Sequence, residues 1–336
     1  MRLPEAIRLR LLAAAWLLCA AAPAATAHPL RIGYVFAMAN APVLIASHEG
    51  YFTAQGLQVE LTPFPDGPAV QRAVAAGDID VAYIGAPPVY QWFARGLDER
   101  ILAKVNYGQA ALVVRGGEPV DSLAGLRGRR IAEPARGSGM DVLLRGVVLQ
   151  DAPQLHPGRD LSLVQMPVGN MNLAIDSGVV DGAFEWEPFV SQEVLRGSGR
   201  VVFDVDRAFP GYPWYVIAAT TETIGRRSGD LLKLLRANHA AIAFLDHHAH
   251  ESDRIIAEAF RLQPIRSAAD QTVTPVEIVA AARQRLGWSD RLSASDIAFI
   301  QRLMSYSYRM GLLPRPLEAS DVVDTSLWKR AVAARN

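Results

Sequence analysis

Residues 132–144, Ala-Glu-Pro-Ala-Arg-Gly-Ser-Gly-Met-Asp-Val-Leu-Leu, hold the residue types that bind an anion without a metal or a cationic side chain. Gly137 and Gly139 remove side chains where the backbone must turn or approach something closely. Ser138 offers a hydroxyl, and Arg136 sits just upstream. From Met140 the apolar residues recur at helical spacing, which predicts a helix start. The free N–H groups and positive dipole end of such a start favour a sulfonate, phosphate, carboxylate or nitrate. A plain strand-to-helix turn capped by Ser138 uses the same residues. The rest of the chain decides between the two.

Catalytic constellations are incomplete. His247, His248 and His250 are close in sequence, but only His247 and His250 share a helix face, and no thiolate is nearby. His48-Glu49 runs into Gly50-Tyr51-Phe52 and lacks the second histidine of a zinc-protease helix. Ser138 lies between two glycines rather than in a nucleophile elbow. The reading is a binding protein with no catalytic residue, no metal and no cofactor.

The elements that position the loop alternate. Arg31–Val35 reads as a strand, then Phe36–Asn40 as a loop in which Asn40 caps a helix carrying Pro42. Leu57, Val59 and Leu61 alternate with polar residues as a half-buried strand. Val70, Ala73 and Val74 form a helical stripe closed by Gly77. Val81–Ile84 is a buried strand, Gly85-Ala86 a tight turn, and Pro87 and Pro88 suit a first helical turn. Ile101–Val105 and Ala110–Val114 follow as strands. This order predicts a parallel, helix-covered sheet.

The pattern restarts after Arg115. Strands are expected at Arg130–Ala132, Leu161–Met166, Val201–Phe203 and Trp214–Ala219, and a helix at Asn170–Asp176. Asp181–Phe189 reads as a strand entering a helix with Pro188 in its first turn. From Thr221 the chain reads as helical to the end, with capping boxes at Thr274–Glu277 and Ser293–Asp296. The expected architecture is two α/β lobes with a ligand cleft between them. Lobe 1 comprises 28–114 plus 215–336, lobe 2 comprises 115–214, and crossings lie near Val114 and Trp214. Four loops, Phe36–Asn40, Gly85–Pro88, Arg136–Met140 and Glu185–Glu187, each enter a helix and are expected to aim their helix starts at one volume.

The N-terminus reads as a secretory signal. Arg2, Arg8 and Arg10 precede an apolar run from Leu11 to Ala22, and Ala25-Thr26-Ala27 fits a cleavage site before His28. The only cysteine, Cys19, lies within it. The remaining chain carries 31 basic and 33 acidic side chains, a balance that argues against a nucleic-acid partner. An exported monomer is expected.

In order along the chain stand Glu49-Gly-Tyr-Phe52, Gly77-Asp-Ile-Asp-Val-Ala-Tyr-Ile-Gly-Ala-Pro-Pro88, Leu123-Ala-Gly-Leu-Arg-Gly-Arg-Arg-Ile131 and Gly178-Val-Val-Asp-Gly-Ala-Phe-Glu-Trp-Glu-Pro188. This set resembles the periplasmic substrate-binding proteins of ABC importers for taurine, aliphatic sulfonates and nitrate, a group related to proteins that handle the pyrimidine precursor of thiamine. The resemblance implies a periplasmic-binding-protein-like fold of type II, a small anionic or zwitterionic ligand, and a membrane permease as partner. By position it carries over Phe36, Asn40, Gly85, Ala86, Gly137, Ser138, Gly139 and Met140 as ligand loops. Glu185, Trp186 and Glu187 match a segment where an acid meets a ligand's amine, and Trp214 and Tyr215 match an aromatic crossing strand. Ala86 stands where many relatives carry a hydroxyl, which removes a donor. A carboxylate in the cleft favours a zwitterion such as taurine over a bare anion. The alternatives are a thiamine-type pyrimidine or other aromatic, nitrate, or an enzyme of pyrimidine precursor synthesis.

Overall fold

The computed structural model describes residues 28–333; the signal segment expected at 1–27, Cys19 included, lies outside them. Strands β1 (Leu30–Val35), β2 (Val59–Phe64) and β3 (Val81–Gly85) run parallel and alternate with helices α1 (Ala41–His48), α2 (Gly67–Ala76) and α3 (Ala86–Phe93). β3 is buried along its whole length, as a five-residue apolar run inside a covered sheet should be. Asp66 caps α2 by accepting from the Ala69 N–H, and Gly77 ends that helix in the left-handed conformation.

After β4 (Glu99–Lys104) and the short β5 (Asn106–Gly108), the chain enters a second sheet at β6 (Ala110–Arg115). That sheet also holds β7 (Arg130–Glu133), β8 (Ser162–Gln165), β9 (Gly182–Trp186) and β10 (Gly199–Asp204), in the order β10-β6-β9-β7-β8. Its helices are α4 (Gly139–Gly146), α5 (Met171–Asp176) and α6 (Phe189–Arg196). β11 (Tyr215–Thr220) then returns to the first sheet, whose order is β2-β1-β3-β11-β4.

Three expectations are corrected here. The first crossing falls at 105–109, because Ala110–Arg115 already pairs with β9 and β10. The first sheet is not purely parallel, since β11 enters from the other lobe and runs antiparallel to β3 and β4. The section after Thr221 is not helical throughout. Helices α7 (Thr221–His247) and α8 (Ala249–Ala259) are followed by a ribbon of β12 (Ile265–Arg266) and β13 (Thr272–Val273). Then come α9 (Pro275–Ala282), β14 (Leu286–Trp288) paired with β5, α10 (Ala294–Arg309) and α11 (Ser326–Ala333). Both expected capping boxes form. These helices do not complete the first lobe alone. α10 packs on both α3 and α4, and at the second contact a Cβ on Gly146 would lie 2.8 Å from Tyr306 Cβ.

The two crossings run side by side. Tyr107 bridges Pro213, and the Asn106 side chain accepts from the Tyr215 N–H at 2.8 Å. One contiguous apolar core joins both sheets, with Ile32, Tyr83 and Leu102 on one side and Leu112 and Phe184 on the other. Burying each such side chain contributes about 1.5–3 kcal/mol.

Asn40 is fully buried but does not cap α1 with its side chain. A 3-10 turn at Met38–Asn40 feeds the chain straight into the helix. The freed amide donates to the Val35 carbonyl at 2.8 Å and the Tyr83 carbonyl at 3.3 Å, tying the carboxyl ends of β1 and β3. Asn40→Ala leaves both carbonyls without this donor, and urea unfolding is expected to show a loss of about 1–3 kcal/mol with an unchanged slope.

Candidate functional site, a cleft between the lobes

The loop from β7 to α4 is braced before it can bind anything. Gly137 has φ +78°, a conformation that favours glycine. Its N–H donates to the buried Asp141 carboxylate at 2.9 Å, which also accepts from Arg136 and Arg145. Ser138 caps the helix by accepting from the Asp141 N–H. The Gly139 and Met140 N–H groups have no intrahelical acceptor and head the positive end of α4. Ser138, Gly139 and Met140 all line one hollow, shared with Val35, Asp66 and Gly67 after β1 and β2, Gly85, Pro134, Trp186, Trp214 and Tyr215.

The walls nearly touch. A Cβ on Gly85 would stand 3.7 Å from Gly139 Cα, and a Cβ on Gly139 would stand 3.1 Å from the Trp214 ring. The hollow is about 20 Å³, room for roughly one water. An organic head group therefore enters only with the lobes parted. Larger grooves lie elsewhere, one of about 630 Å³ beside His28, Arg31 and Asp80 at the start of the first sheet. That is the amino end of the parallel strands, whereas such sheets bind ligands at the carboxyl ends.

Trp186 and Trp214 are 4% and 2% exposed; the Trp186 indole N–H lacks a hydrogen-bond acceptor, while Trp214 interacts with the Tyr215 hydroxyl. A buried donor without an acceptor, beside the free amides of α4, suits a ligand that brings oxygen lone pairs. Tyr215 adds a hydroxyl whose pKa burial raises. Asp66 is the only formal charge among the described residues that line the hollow. One of its oxygens accepts from the Ala69 N–H, and no Lys or Arg pairs with it among the described residues.

Several expected site residues lie elsewhere. Phe36 is 37% exposed and stacks on Phe260, with ring centroids 4.3 Å apart. Asn40 is the structural tie described above. Ala86 is buried at the start of α3, behind Gly85 rather than lining the hollow. Gly137 turns the loop, and its carbonyl accepts from the Gln91 amide at 3.1 Å. Glu185 and Glu187 flank Trp186 but do not line the hollow, because strand residues alternate faces. Glu187 accepts from the Ser191 N–H at 3.0 Å, the Ser191 hydroxyl at 3.0 Å and Arg285 at 3.0 Å.

Of the four expected helix starts, that of α4 is the one whose first two residues line the hollow. α1 follows a 3-10 turn, α3 has two prolines without N–H after Ala86, and α6 has its Ser191 N–H bonded to the Glu187 carboxylate, with Pro188 just before its first turn.

Asp66 was missed, although Asp66-Gly67-Pro68 after an alternating strand carries the same cap-and-proline signature used elsewhere. Gln109 was missed as well. It sits at the first crossing with φ +111°, and its buried side-chain amide interacts with the Tyr215 hydroxyl. Its N–H donates to the Arg285 carbonyl at 2.7 Å, and its carbonyl accepts from the Glu187 N–H at 3.1 Å. The polar break Asn106-Tyr-Gly-Gln109 between two apolar strands is the signal that marks it.

The chain matches the NMT1-like family over residues 23–260. It belongs to this family. Across a wider span this NMT1-like chain is 23% identical over 309 residues to a putative aliphatic sulfonates-binding protein of Bacillus subtilis, covering 90% of this chain and 88% of that one. Its fold matches the alkanesulfonate-binding protein SsuA of Xanthomonas axonopodis pv. citri, with TM-score 0.73, 23% identity, and 88% and 98% of the two chains covered. It also matches the periplasmic nitrate-binding protein NrtA of Synechocystis PCC 6803, with TM-score 0.75, 20% identity, and 92% and 89% covered. The fold is the two-lobed periplasmic-binding-protein fold.

Both oxygens of the fully buried Glu185 lack partners, and burial, with Glu193 and Glu187 nearby, holds its pKa well above the usual 4.5. Burial pushes Glu187 up to about 7, with Arg285 and Ser191 working against it. The folded chain thus holds these protons more tightly than the unfolded one. The contribution of Glu187 to stability is complete below about 4.5 and is lost as pH rises through about 7, and that of Glu185 declines in the same direction as pH rises above 4.5. Unfolding free energy is expected to fall between pH 5 and pH 8.5, and Glu185→Gln to flatten that fall by about 1 kcal/mol or more. Chemical denaturation at both pH values checks it; a parent whose stability is flat or rising over this range contradicts it.

Proposed function

We propose that this chain is the exported solute-binding protein of an ABC importer, holding a small zwitterionic organic sulfonate of the taurine type and delivering it to a membrane permease. One observation carries the reading. Buried N–H donors without acceptors, from Trp186 and the start of α4, share one hollow with the Asp66 carboxylate of the other lobe, whose hydrogen bond comes from the Ala69 N–H and which forms no ion pair among the described residues. The head of a sulfonate satisfies the donors, and an ammonium satisfies Asp66. The acid expected at Glu185 or Glu187 is thereby reassigned to Asp66. A bare anion such as nitrate gains the same donors but meets Asp66 uncompensated, at roughly 1–4 kcal/mol near contact. The secretory segment at 1–27 supports a periplasmic location, and a single chain holds every lining residue.

A second reading rests on the rings of Trp186, Trp214 and Tyr215. A flat pyrimidine bearing an exocyclic amine stacks on them and donates to Asp66. Tryptophan fluorescence separates the two, since only a ring that stacks quenches Trp186 or Trp214.

Thermal shift with taurine, propanesulfonate and nitrate tests the proposal. Taurine is expected to raise the melting temperature most; at a hundred times its Kd, linkage adds about 2.7 kcal/mol. Asp66→Asn is expected to shift preference from taurine toward propanesulfonate by about tenfold or more, as titration calorimetry reads it. No response to any sulfonate removes the ligand class.

A further inference from the structure

Gly146, the last residue of α4, has no backbone reason to be a glycine. It is buried and helical, and its φ is not in the left-handed region. Inside a helix glycine is a poorer choice than alanine. What the missing side chain permits is the approach of α10, since a Cβ there would lie 2.8 Å from Tyr306 Cβ and 3.1 Å from Tyr306 Cγ. α10 is joined to the two lobes in different ways. On the first lobe its start carries the buried ion pair of Asp296 with Lys104 of β4, at 2.8 Å. Its last turn carries the buried hydrogen bond between the Ser307 and Tyr90 hydroxyls, also 2.8 Å, which reaches α3. Toward the second lobe it presents Tyr306 to Gly146. It also presents Phe299 and Arg302 to Phe209, whose ring centroid lies 6.2 Å from that of Phe299 and 5.4 Å from Arg302 Cζ. Among the described residues no hydrogen bond or ion pair joins α10 to α4.

We propose that α10 is a fixed abutment of the first lobe against which α4 seats when the cleft shuts, and that Gly146 and Tyr306 are positioning residues for ligand capture. A buried ion pair resists parting, because each half would be left charged and unpaired. An apolar face parts and closes again without leaving a polar group unsatisfied. α10 therefore stays with β4 and α3 while the second lobe moves. The hollow-lining residues Gly139 and Met140 stand at one end of α4 and Gly146 at the other, about two turns away. Seating Gly146 against Tyr306 thus sets how deeply the start of α4 meets a guest. The contact is already as close as atoms permit, so parting the lobes relieves any bulk added at Gly146. Added bulk shifts the population toward the open form, and affinity falls with the fraction of molecules still able to shut.

Titration calorimetry with taurine, urea unfolding and small-angle X-ray scattering of the processed chain test this. The taurine arm rests on the ligand reading given above; the scattering arm does not. Gly146→Ala is expected to bind taurine at least about fivefold more weakly than the parent while unfolding at no lower urea concentration, because alanine favours the helix. Its radius of gyration is expected to exceed the parent's, with and without taurine. Tyr306→Ala, which removes the ring that α4 seats on, is expected to weaken taurine as well. Gly229→Ala serves as the control, a helical glycine in α7 with open space around it, and is expected to leave affinity within about twofold. Parent-like affinity in both Gly146→Ala and Tyr306→Ala overturns the abutment. So does weaker binding by Gly146→Ala at an unchanged radius of gyration. If the parent binds no taurine, the ligand reading falls, and scattering of the unliganded chains decides the abutment by itself: a more extended Gly146→Ala supports it and equal radii overturn it.

Discussion

The molecule depends on a place where two backbones meet without side chains between them. Gly85, at the carboxyl end of β3, faces Gly139, the first residue of α4, and the Trp214 ring rests on the same glycine. Larger residues here would hold the lobes apart by steric contact. With glycines the start of α4 comes within reach of a guest that also touches the first lobe. The hollow is small because these walls approach so closely, and its chemistry is set by what little lines it.

Around this contact the chain separates charges that recruit a guest from charges that hold the frame. Arg136 and Arg145 are matched by Asp141 and Glu133 while the four fix the loop. Glu187 is spent on the start of α6 and on Arg285, which also pairs with Asp204. Arg285 reaches these groups from the segment between α9 and β14, while its carbonyl accepts from Gln109 at the first crossing. A Cβ on Gly108 would lie 2.1 Å from that carbonyl oxygen, so the crossing has no slack on this side. The strand carrying Trp186 is thus tied to the hinge, since its next residue, Glu187, bonds both Gln109 and Arg285.

Most of the fold was legible in the sequence because local signals and tertiary packing agreed. The cap at Ser138, the stop at Gly77 and the boxes at Thr274 and Ser293 all form where their residue types predict. The failures share a physical cause, which is long-range pairing. β11 runs antiparallel because of the direction in which the chain returns, and no residue within Tyr215–Thr220 encodes that direction. β12 to β14 are two or three residues long and carry too little pattern to register. Trp186, Trp214, Tyr215 and residues 138–140, expected at the site from their position in the chain, line one hollow. The glutamates beside Trp186 were misplaced because a single-residue step along a strand reverses the face. Asp66, absent from the sequence reading, caps α2 and lines the hollow.

The two prolines that open α3 have a consequence for how a guest is sensed. Pro87 and Pro88 bring no N–H to the first turn of α3, so the first lobe meets the hollow with Asp66, Gly67 and the Tyr215 hydroxyl, while the second brings the start of α4 and Trp186. Polarity across the gap is therefore lopsided. A molecule carrying one sign of charge satisfies one half and leaves the other indifferent to it. On the proposed reading, a guest carrying both signs would bridge the two halves through its own dipole.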